Sequence, residues 1–530
     1  MQRWNGWGDD AISLDLPLRA EKHLQEIIGE GTPRDDYPLD QLIDRVPASR
    51  LPKHRLISTD PRQRILHAHG QSLPDWIGFR GGTLNRFPDG VAMPASIDDI
   101  QELLDFAEKH RSIIIPYGGG TSVVGHLTVP EGKHPVLSLS LKQFNRLIDL
   151  DLYNRLATFE AGVRGPDLEA QLRAKDFTLG HFPQSFEYSS LGGWIVTRAV
   201  GQESTYYGRM DQLFAGGKML TPRGSITLPP FPASAAGPDM RHLLMGSEGR
   251  LGVLAIATVK ISPLPERHDI HGVFFPSWKN AIEAVKELSG NHLPLSMVRL
   301  SNPAETTVNL LLAGYETQVS LLKRYLKFRD IPEEEACMCL IGFIGSRRMI
   351  SATRRESSSI VDDFDGVFVG KTMGEAWKKH RFRSPYLRNT LWDLGYAVDT
   401  IETAVTWDRV TSTMRAMENA IRYSLESSKE KVQTFSHLSS VYPTGSSVYT
   451  TCVFRLGATP DETLARWMTI KQAASDAIIA GGGTISHQHG VGTDHKAYLK
   501  AEKGDVCMDI IRMACLHVDP DEQMNPGKLI

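Results

Sequence analysis

The chain has 530 residues, and its length and composition exclude several classes of protein. This length predicts about three folding units and a core too large for a peptide or a disulfide-stabilised miniprotein. Hydrophobic residues make up 41% and charged residues 23% of the chain, as is usual for a soluble globular protein. The net charge of -3 provides no general attraction to nucleic acid, so no nucleic-acid partner is expected.

The sequence contains no recognisable targeting or membrane-spanning segment. Its longest apolar runs are far shorter than the roughly 20 residues that cross a bilayer. The N-terminal stretch lacks the apolar centre of a signal peptide, and the final Lys528-Leu529-Ile530 differs from the peroxisomal Ser-Lys-Leu signal. We therefore expect a cytoplasmic protein, with or without peripheral contact to a membrane. The five cysteines are expected to be reduced thiols.

Hydrophobic periodicity predicts an α+β protein in four stretches. Residues 1–85 form a helical N-terminal segment that is interrupted by prolines. Residues 86–265 form a compact unit in which a helix starts after the N-cap Ser96. Strands are predicted in this unit at 112–115, 136–141, 156–163 and 253–261.

The second half of the chain has a strand-then-helix rhythm that predicts another α+β domain over residues 266–483. Its strands are predicted at 273–275, 337–345, 367–369 and 448–455, and its helices at 277–288, 347–360 and 460–480. Gly481 follows the last helix as a C-terminal stop. Residues 484–530 remain as a short C-terminal segment with histidines at its start.

A glycine-rich stretch after the first of these strands is the most informative motif. Residues 116–125 read P-Y-G-G-G-T-S-V-V-G, and glycines let backbone N–H groups approach and cradle a pyrophosphate. Val123 breaks the G-x-G-x-x-G fingerprint of a dinucleotide-binding turn. His126 stands where a P-loop would carry its lysine. The stretch therefore belongs to neither of these two common phosphate-binding motifs.

Two further turns accompany it, at residues 180–200 and 246–254, and both are rich in glycine and hydroxyl side chains. The ordered set of three resembles the FAD domain of the vanillyl-alcohol oxidase/p-cresol methylhydroxylase superfamily. The resemblance implies a two-subdomain FAD-binding domain of that type, followed by an α+β cap domain. It also implies that the C-terminal segment returns to the flavin site.

Four motifs narrow the resemblance within that superfamily. They are R-W-N-G-W-G at 3–8, F-E-Y-S-S-L-G-G-W at 186–194, E-T-A-V-T-W-D at 402–408 and S-H-Q-H-G-V-G at 486–492. Together they resemble the alkyldihydroxyacetonephosphate synthase (alkylglycerone-phosphate synthase) family over nearly the whole chain. That family exchanges the acyl group of acyl-dihydroxyacetone phosphate for a long-chain alcohol in ether lipid synthesis. The resemblance implies a phosphorylated lipid-like substrate, a fatty alcohol and a homodimer.

The same resemblance implies noncovalent FAD, which does no net redox work in this family. Thr121 stands where covalent relatives often carry a flavin-linked histidine. The implied cofactor-binding residues are Pro116, Tyr117, Gly118, Gly119, Gly120, Thr121, Ser122, Gln184, Ser185, Phe186, Glu187, Tyr188, Ser189, Ser190, Thr197, Arg198, Ala199, Val200, Glu248, Gly249, Arg250, Leu251, Gly252, Val253 and Leu254.

Six further residues match functional positions of the family. Arg388 matches the substrate-binding arginine, and a guanidinium suits a phosphate because its fork matches two oxygens. Arg299 matches a second arginine that the family needs for activity. The implied catalytic residues are Tyr449, His487, His489 and His181. Gln488 departs from the family, which has a histidine there, and glutamine cannot change its charge near neutral pH.

An FAD-dependent 2-hydroxy-acid dehydrogenase or oxidase of the same superfamily is the alternative. Those enzymes hold a divalent metal with histidines and a carboxylate. Tyr449 falls where the second metal histidine would be, and Gln488 falls where the carboxylate would be. We therefore expect no metal site and favour the ether-lipid reaction.

Overall fold

The computed structural model describes residues 2–314 and 316–530, and it begins with short helices that pack around later parts of the chain. The N-terminal elements are α1 (Leu18–Ile28), α2 (Leu39–Asp44), β1 (Ile57–Ser58), α3 (Pro61–Leu66) and α4 (Leu73–Arg80). The Ser72 hydroxyl and the Asp75 carboxylate close a capping box at the start of α4. Trp76 of α4 is fully buried in the largest hydrophobic cluster of the protein.

A small sheet carries the first glycine-rich turn. Its elements are β2 (Gly90–Ala92), α5 (Ile97–His110), β3 (Ile113–Tyr117) and β4 (Val136–Ser140). The strand order is β1-β2-β4-β3, and β4 pairs in parallel with both β2 and β3. The Ser96 hydroxyl accepts a hydrogen bond from the Asp99 amide, as the sequence predicted for the start of α5. The turn thus begins at the carboxyl end of β3.

A second, antiparallel sheet carries the other two glycine-rich segments. Its region contains β5 (Leu147–Asp151), β6 (Leu156–Glu160), α6 (Gly165–Arg173), β7 (Phe177–Thr178), α7 (Leu191–Val196), α8 (Ser204–Tyr207), α9 (Met210–Leu213), β8 (Phe214–Thr221), β9 (Gly224–Leu228), α10 (Arg241–Leu244), β10 (Val253–Lys260) and β11 (Ser262–Pro263). The order of the five long strands is β5-β6-β10-β8-β9. One segment precedes and includes α7, and the other leads directly into β10.

The third sheet is an eight-stranded antiparallel layer covered by helices. Its elements are β12 (Arg267–Phe275), α11 (Trp278–Gly290), β13 (Leu295–Ser301), α12 (Pro303–Leu312), α13 (Glu316–Phe328), β14 (Cys337–Gly345), α14 (Arg347–Asp363), β15 (Val367–Gly370), α15 (Thr372–His380), α16 (Leu387–Asp393), β16 (Tyr396–Thr406), α17 (Trp407–Tyr423), β17 (Val432–Leu438), β18 (Val441–Tyr442), β19 (Gly445–Arg455) and α18 (Pro460–Ala480). The order is β15-β12-β14-β13-β17-β19-β16, with β18 beside β19.

The C-terminal segment contains a helical stretch that the sequence did not predict, α19 (Lys496–Val518), which is kinked at Gly504. Val506, Ile510 and Met513 lie exposed on α19, so apolar side chains on its outer surface obscure the usual one-sided pattern. After α19 the chain returns to the first sheet, where Met524 forms a bridge with Ile114 of β3.

The described helices were also compared with the span of a bilayer. None of those within residues 2–314 and 316–530 combines the length and apolar character needed to cross a membrane. The boundaries proposed for the four stretches of the chain remain predictions. The three larger sheets, beside which β7 and β11 form a two-stranded sheet, enclose a cavity between the glycine-rich segments and the eight-stranded sheet.

Candidate active site

A cavity of about 570 Å³ lies between the two smaller sheets and the eight-stranded sheet. One wall is formed by the glycine-rich segments after β3, around α7 and before β10. The facing wall is formed by side chains of β13, α12, α16, β16, β17 and β19. The loop before α19 contributes Gln488 and His489.

The first glycine-rich turn has the geometry of a phosphate cradle. A Cβ on Gly119 would lie 2.0 Å from the Tyr188 carbonyl oxygen, so the two segments pack directly against each other. Gly120 has φ +69°, a left-handed conformation that favours glycine. Within the described chain, no hydrogen bond is found from the amides of Gly119, Gly120 or Thr121. These unpaired N–H groups can donate hydrogen bonds to the oxygens of a pyrophosphate. The residues present therefore fit FAD.

Most of the predicted cofactor-binding residues line this cavity. Those that do are Pro116, Tyr117, Gly118, Gly119, Gly120, Thr121, Ser122, Gln184, Ser185, Ser189, Ser190, Thr197, Ala199, Val200, Glu248, Gly249, Gly252 and Leu254. The predicted residues that do not line the cavity are Phe186, Glu187, Tyr188, Arg198, Arg250, Leu251 and Val253.

Two of the predicted cofactor-binding residues form hydrogen bonds with the C-terminal segment. The Glu248 carboxylate accepts hydrogen bonds from the amides of Val491 (2.6 Å) and Gly492 (2.8 Å). Arg250 is buried and donates to the Met524 carbonyl oxygen. These contacts hold the C-terminal loop against the proposed cofactor wall.

Arg388 of α16 lines the cavity and has guanidinium N–H groups that are not used in hydrogen bonds with the protein. Its Nη1 donates to the Gln71 carbonyl oxygen, and its guanidinium lies 4.4 Å from the centre of the Trp76 ring. Its Nε and Nη2 are buried without a hydrogen-bond partner among the described groups. Burial lowers the pKa of Arg388 to about 10, so the side chain stays charged at neutral pH. A fixed cation with unused donors is suited to an anionic group of a ligand.

Arg299 of β13 is held by Glu305 and His437, to which sequence reasoning assigned no role in binding or catalysis. Its Nη2 lies 2.9 Å from Glu305 Oε1 and 3.2 Å from His437 Nδ1. His437 Nδ1 also lies 2.8 Å from the same Glu305 oxygen. Burial alone would raise the pKa of Glu305, but the facing His437 and Arg299 lower it to about 2. The triad therefore contains an ionised carboxylate and fixes the arginine at the cavity wall.

Tyr449 of β19 lies beside this triad. Its ring stacks on the His437 ring with centroids 4.9 Å apart, and its hydroxyl donates to Thr400 Oγ1 at 3.0 Å. Burial raises the pKa of Tyr449 well above its usual value. The side chain is consequently protonated at neutral pH and available as a proton donor.

The loop before α19 places its two predicted histidines differently. His489 lines the cavity, with its ring centroid 5.7 Å from that of Tyr449. His487 does not line the cavity, and its Nε2 forms a hydrogen bond with the Tyr442 hydroxyl at 2.7 Å. Burial lowers the pKa of His487 to about 4, so this imidazole is neutral at pH 7. Only His489 of the pair contacts the cavity directly.

Glu402 of β16 holds this loop, and sequence reasoning did not assign it a role. The sequence signal was an acidic residue inside an apolar strand, which is rarely buried without partners. The Glu402 carboxylate accepts hydrogen bonds from the amides of Gln488 and His489.

His181 lies outside the cavity wall. It is buried against Trp194, with ring centroids 4.8 Å apart, and neither of its ring nitrogens has a partner in the described chain. Burial lowers the pKa of His181 to about 3. The structure therefore does not bring this predicted catalytic residue together with Tyr449.

One end of the cavity is apolar. Its side chains come from the segment before α1 and from α1, α12, α16, β16, β17 and β19: Leu16, Ala20, Leu24, Val308, Leu311, Leu312, Leu387, Leu391, Val398, Phe435 and Val453. This lobe provides a water-poor surface for a hydrocarbon chain.

The distribution of histidine, cysteine and carboxylate side chains bears on the metal-dependent alternative. Within residues 2–314 and 316–530, no group of three or more His, Cys, Asp or Glu side chains has the arrangement of a metal site. Two positions matter for the alternative, a metal-dependent 2-hydroxy-acid oxidoreductase. The Tyr449 hydroxyl donates a hydrogen bond to Thr400, and Gln488 lines the cavity.

Comparison with known proteins identifies this arrangement. Residues 264–529 match the family described as FAD linked oxidases, C-terminal domain, and residues 88–228 match an FAD binding domain. Alkyldihydroxyacetonephosphate synthase of Dictyostelium discoideum is 28% identical over 574 residues, covering 100% of this chain and 93% of the relative. The same-named enzyme of Caenorhabditis elegans is also 28% identical, with 100% and 95% coverage.

A solved alkyldihydroxyacetonephosphate synthase structure shares the fold. Its TM-score is 0.85 at 24% identity, over 99% of this chain and 98% of that chain.

The fold and the cavity thus define a flavoprotein with a p-cresol methylhydroxylase-type FAD domain and an α+β cap domain, as the sequence predicted. The chain belongs to the FAD-linked oxidase family. The predicted FAD cofactor and the resemblance to alkyldihydroxyacetonephosphate synthases are confirmed.

Proposed function

We propose that this protein uses noncovalently bound FAD to exchange the acyl group of an acyl-dihydroxyacetone phosphate for a long-chain alcohol. The products are an alkyl-dihydroxyacetone phosphate and a fatty acid. The observation that carries the proposal is the composition of one cavity, where a cofactor cradle, an arginine with unused donors and an apolar lobe meet. Each part corresponds to one need of this reaction.

The cofactor would lie along the glycine-rich wall, held by the residues of that wall that line the cavity. FAD would supply the nucleophile of the exchange. Thr121 lines the cavity and has no ring nitrogen for attachment to a flavin, which supports noncovalent binding.

Arg388 would bind the phosphate of the substrate. Its free Nε and Nη2 can donate two parallel hydrogen bonds to phosphate oxygens, a geometry that strengthens charged contacts. The Trp76 ring beneath the guanidinium limits the movement of this fork. Arg299 would add positive charge on the same wall, where Glu305 and His437 fix its orientation.

Tyr449 would act at the carbon that loses the acyl group and gains the alcohol. Because its pKa is raised, its hydroxyl is protonated and can donate to the departing carboxylate oxygen. His489, on the same part of the wall, can accept the proton of the entering alcohol. The apolar lobe would bind the hydrocarbon chains and exclude water, which would otherwise compete with the alcohol.

The test is product formation by the FAD-loaded protein. Palmitoyl-dihydroxyacetone phosphate and hexadecanol should give hexadecyl-dihydroxyacetone phosphate and palmitate in equal amounts, measured by mass spectrometry. Labelling the alcohol with ¹⁸O should place the label in the ether product. Absence of ether product with a fully flavin-loaded protein would contradict the proposal.

We also propose that the protein is cytoplasmic and contacts a membrane surface through the region beside the apolar lobe. Leu311 lines both the cavity and a groove between α1 and α13. Basic side chains such as Lys323 and Arg324 line this groove, and Leu321 and Phe328 are exposed on α13. This mixture suits an anionic lipid surface. Phe328→Asp should reduce flotation with phosphatidylglycerol vesicles, and unchanged flotation would contradict the proposed surface.

The proposed homodimer rests on the family resemblance. The exposed side chains of Val506, Ile510 and Met513 on α19 offer an apolar contact surface. Light scattering should give twice the chain mass, and Ile510→Glu should lower it if α19 forms the contact.

A further inference from the structure

Glu402 is a buried carboxylate without a part in the proposed reaction. It lies in the middle of β16, is 2% exposed, and stands opposite Tyr449 of β19 in the antiparallel register. Opposite residues of antiparallel strands project from the same face of a sheet. The carboxylate is therefore a direct neighbour of the proposed proton donor.

One oxygen of Glu402 accepts hydrogen bonds from the backbone of the loop before α19, which carries His487 and His489. Oε1 accepts hydrogen bonds from the amides of Gln488 (2.8 Å) and His489 (2.7 Å), and from the Ser486 hydroxyl (3.1 Å). Burial alone would raise the pKa of Glu402, but the two nearby histidines and these amides lower it. The group is thus a carboxylate at neutral pH.

Both histidine rings turn the same nitrogen toward this carboxylate. His489 Nδ1 lies 3.4 Å from Oε1, and His487 Nδ1 lies 3.8 Å from Oε2. The second distance is too long for a hydrogen bond, and neither His487 Nδ1 nor Oε2 has another hydrogen-bond partner in the described chain, so the carboxylate acts on this ring through its charge. A carboxylate facing Nδ1 favours the tautomer with the proton on Nδ1, leaving Nε2 as an acceptor. The contact at the far side of His487 agrees. Its Nε2 lies 2.7 Å from the Tyr442 hydroxyl, whose oxygen accepts from Arg209 Nη1 and whose proton can therefore be donated to Nε2.

We infer that Glu402 is a positioning residue that sets the tautomers of His487 and His489. His489, which lines the cavity beside Tyr449, is thereby kept with an unprotonated Nε2 that can accept the proton of the alcohol. The catalytic use of that nitrogen rests on the proposed function, whereas the tautomer itself does not.

The test reads the tautomers directly on the FAD-loaded protein without substrate. Histidine is labelled with ¹⁵N, and two-bond ¹H–¹⁵N spectra are recorded at neutral pH. His487→Gln and His489→Gln identify the two sets of signals. The wild type should show both rings protonated on Nδ1. Glu402→Gln keeps an acceptor oxygen for the loop amides but removes the charge, so it should shift His489 toward the other tautomer.

Activity provides the second measurement. Glu402→Gln should lower kcat roughly 100-fold, within the range of general acid–base contributions, with flavin content and KM nearly unchanged. Glu418→Gln is the matched control, because Glu418 is also a buried carboxylate but accepts hydrogen bonds from Asn302 and Ser436. It should leave the tautomers and kcat unchanged.

The inference and the proposed function can fail separately. Protonation of His489 on Nε2 in the wild type would overturn the inference, even if Glu402→Gln did not fold. Unchanged tautomers in a folded Glu402→Gln protein would overturn it as well. The predicted tautomers in a protein that forms no ether product would support the inference and contradict the proposed function.

Discussion

The two walls of the cavity are built in different ways. The proposed cofactor wall, hereafter the cofactor wall, consists of short continuous segments whose glycines allow two backbones to approach, as at Gly119 against Tyr188. The substrate wall consists of side chains from separate elements, such as Arg299, Arg388 and Tyr449, held by hydrogen bonds and ring contacts. The first wall depends on the absence of side chains, and the second depends on their presence. Substitutions in the first wall should therefore impair FAD binding, whereas substitutions in the second should impair substrate binding or turnover.

The largest effect is expected from Gly119→Val. The added side chain would need space that the Tyr188 carbonyl occupies, so the two cofactor segments would have to separate. We expect loss of FAD binding and of all activity, measured as flavin absorbance per protein after gel filtration. Gly290→Val, at the end of α11 where a Cβ meets nothing within 4 Å, is the control. Retention of stoichiometric FAD by Gly119→Val would show that this wall tolerates side chains.

Tyr449→Phe should affect the function of the substrate wall and leave that of the cofactor wall unchanged. The variant removes one hydroxyl from the substrate wall and leaves the stacking on His437 in place. We expect normal flavin content and a kcat reduced by roughly 100- to 10,000-fold, the range of general acid–base contributions. Steady-state ether formation checks this value. If the variant turned over at the wild-type rate, Tyr449 would be a packing residue.

The same contrast explains what the sequence could predict. The cofactor wall is local, so three motifs indicated it, and β3, α5 and β10 begin within a residue of their predicted positions. The substrate wall depends on strand pairing over long separations. Glu402 meets Tyr449 only through the register of β16 and β19, which no local pattern specifies.

The prediction for His181 shows the limit of matching by position. The residue stands next to a cofactor segment in sequence, but its ring packs behind the wall on Trp194. Burial and ring contacts are tertiary properties, so the match alone could not place the side chain. Its catalytic role remains a prediction.

Arg388→Lys should give a smaller effect that is specific to phosphorylated substrates. Lysine keeps the charge but loses the planar fork and the stacking on Trp76. We expect KM for the acyl substrate to rise about 10-fold, comparable to the loss of one charged hydrogen bond. Arg383→Lys is the control, since Arg383 stacks on Tyr386 rather than on Trp76. An equal loss with a non-phosphorylated hydroxy acid would indicate a structural role for Arg388.

The smallest effect, no change at all, is expected when divalent metal is removed. A metal-dependent hydroxy-acid oxidation would need ligands on or beside the substrate wall, but several candidate groups there already have other contacts. His437 Nδ1 pairs with Glu305, and His487 Nε2 forms a hydrogen bond with the Tyr442 hydroxyl. Tyr449 would have to ionise to bind a metal well, and burial raises its pKa. Gln488 offers only a neutral amide, which is a weak ligand for a divalent cation.

The measurement is an assay of both reactions after treatment with a strong chelator, with metal removal confirmed by elemental analysis. Ether formation should continue at its original rate. Metal found in an untreated sample would not decide the matter, because three histidines near one cavity can collect an adventitious ion. The decisive contrary result is a D-2-hydroxy-acid oxidation that chelation abolishes and zinc or manganese restores. In that case the substrate wall would bind metal despite Gln488, and its hydrogen bonds would have to rearrange to release the histidine nitrogens.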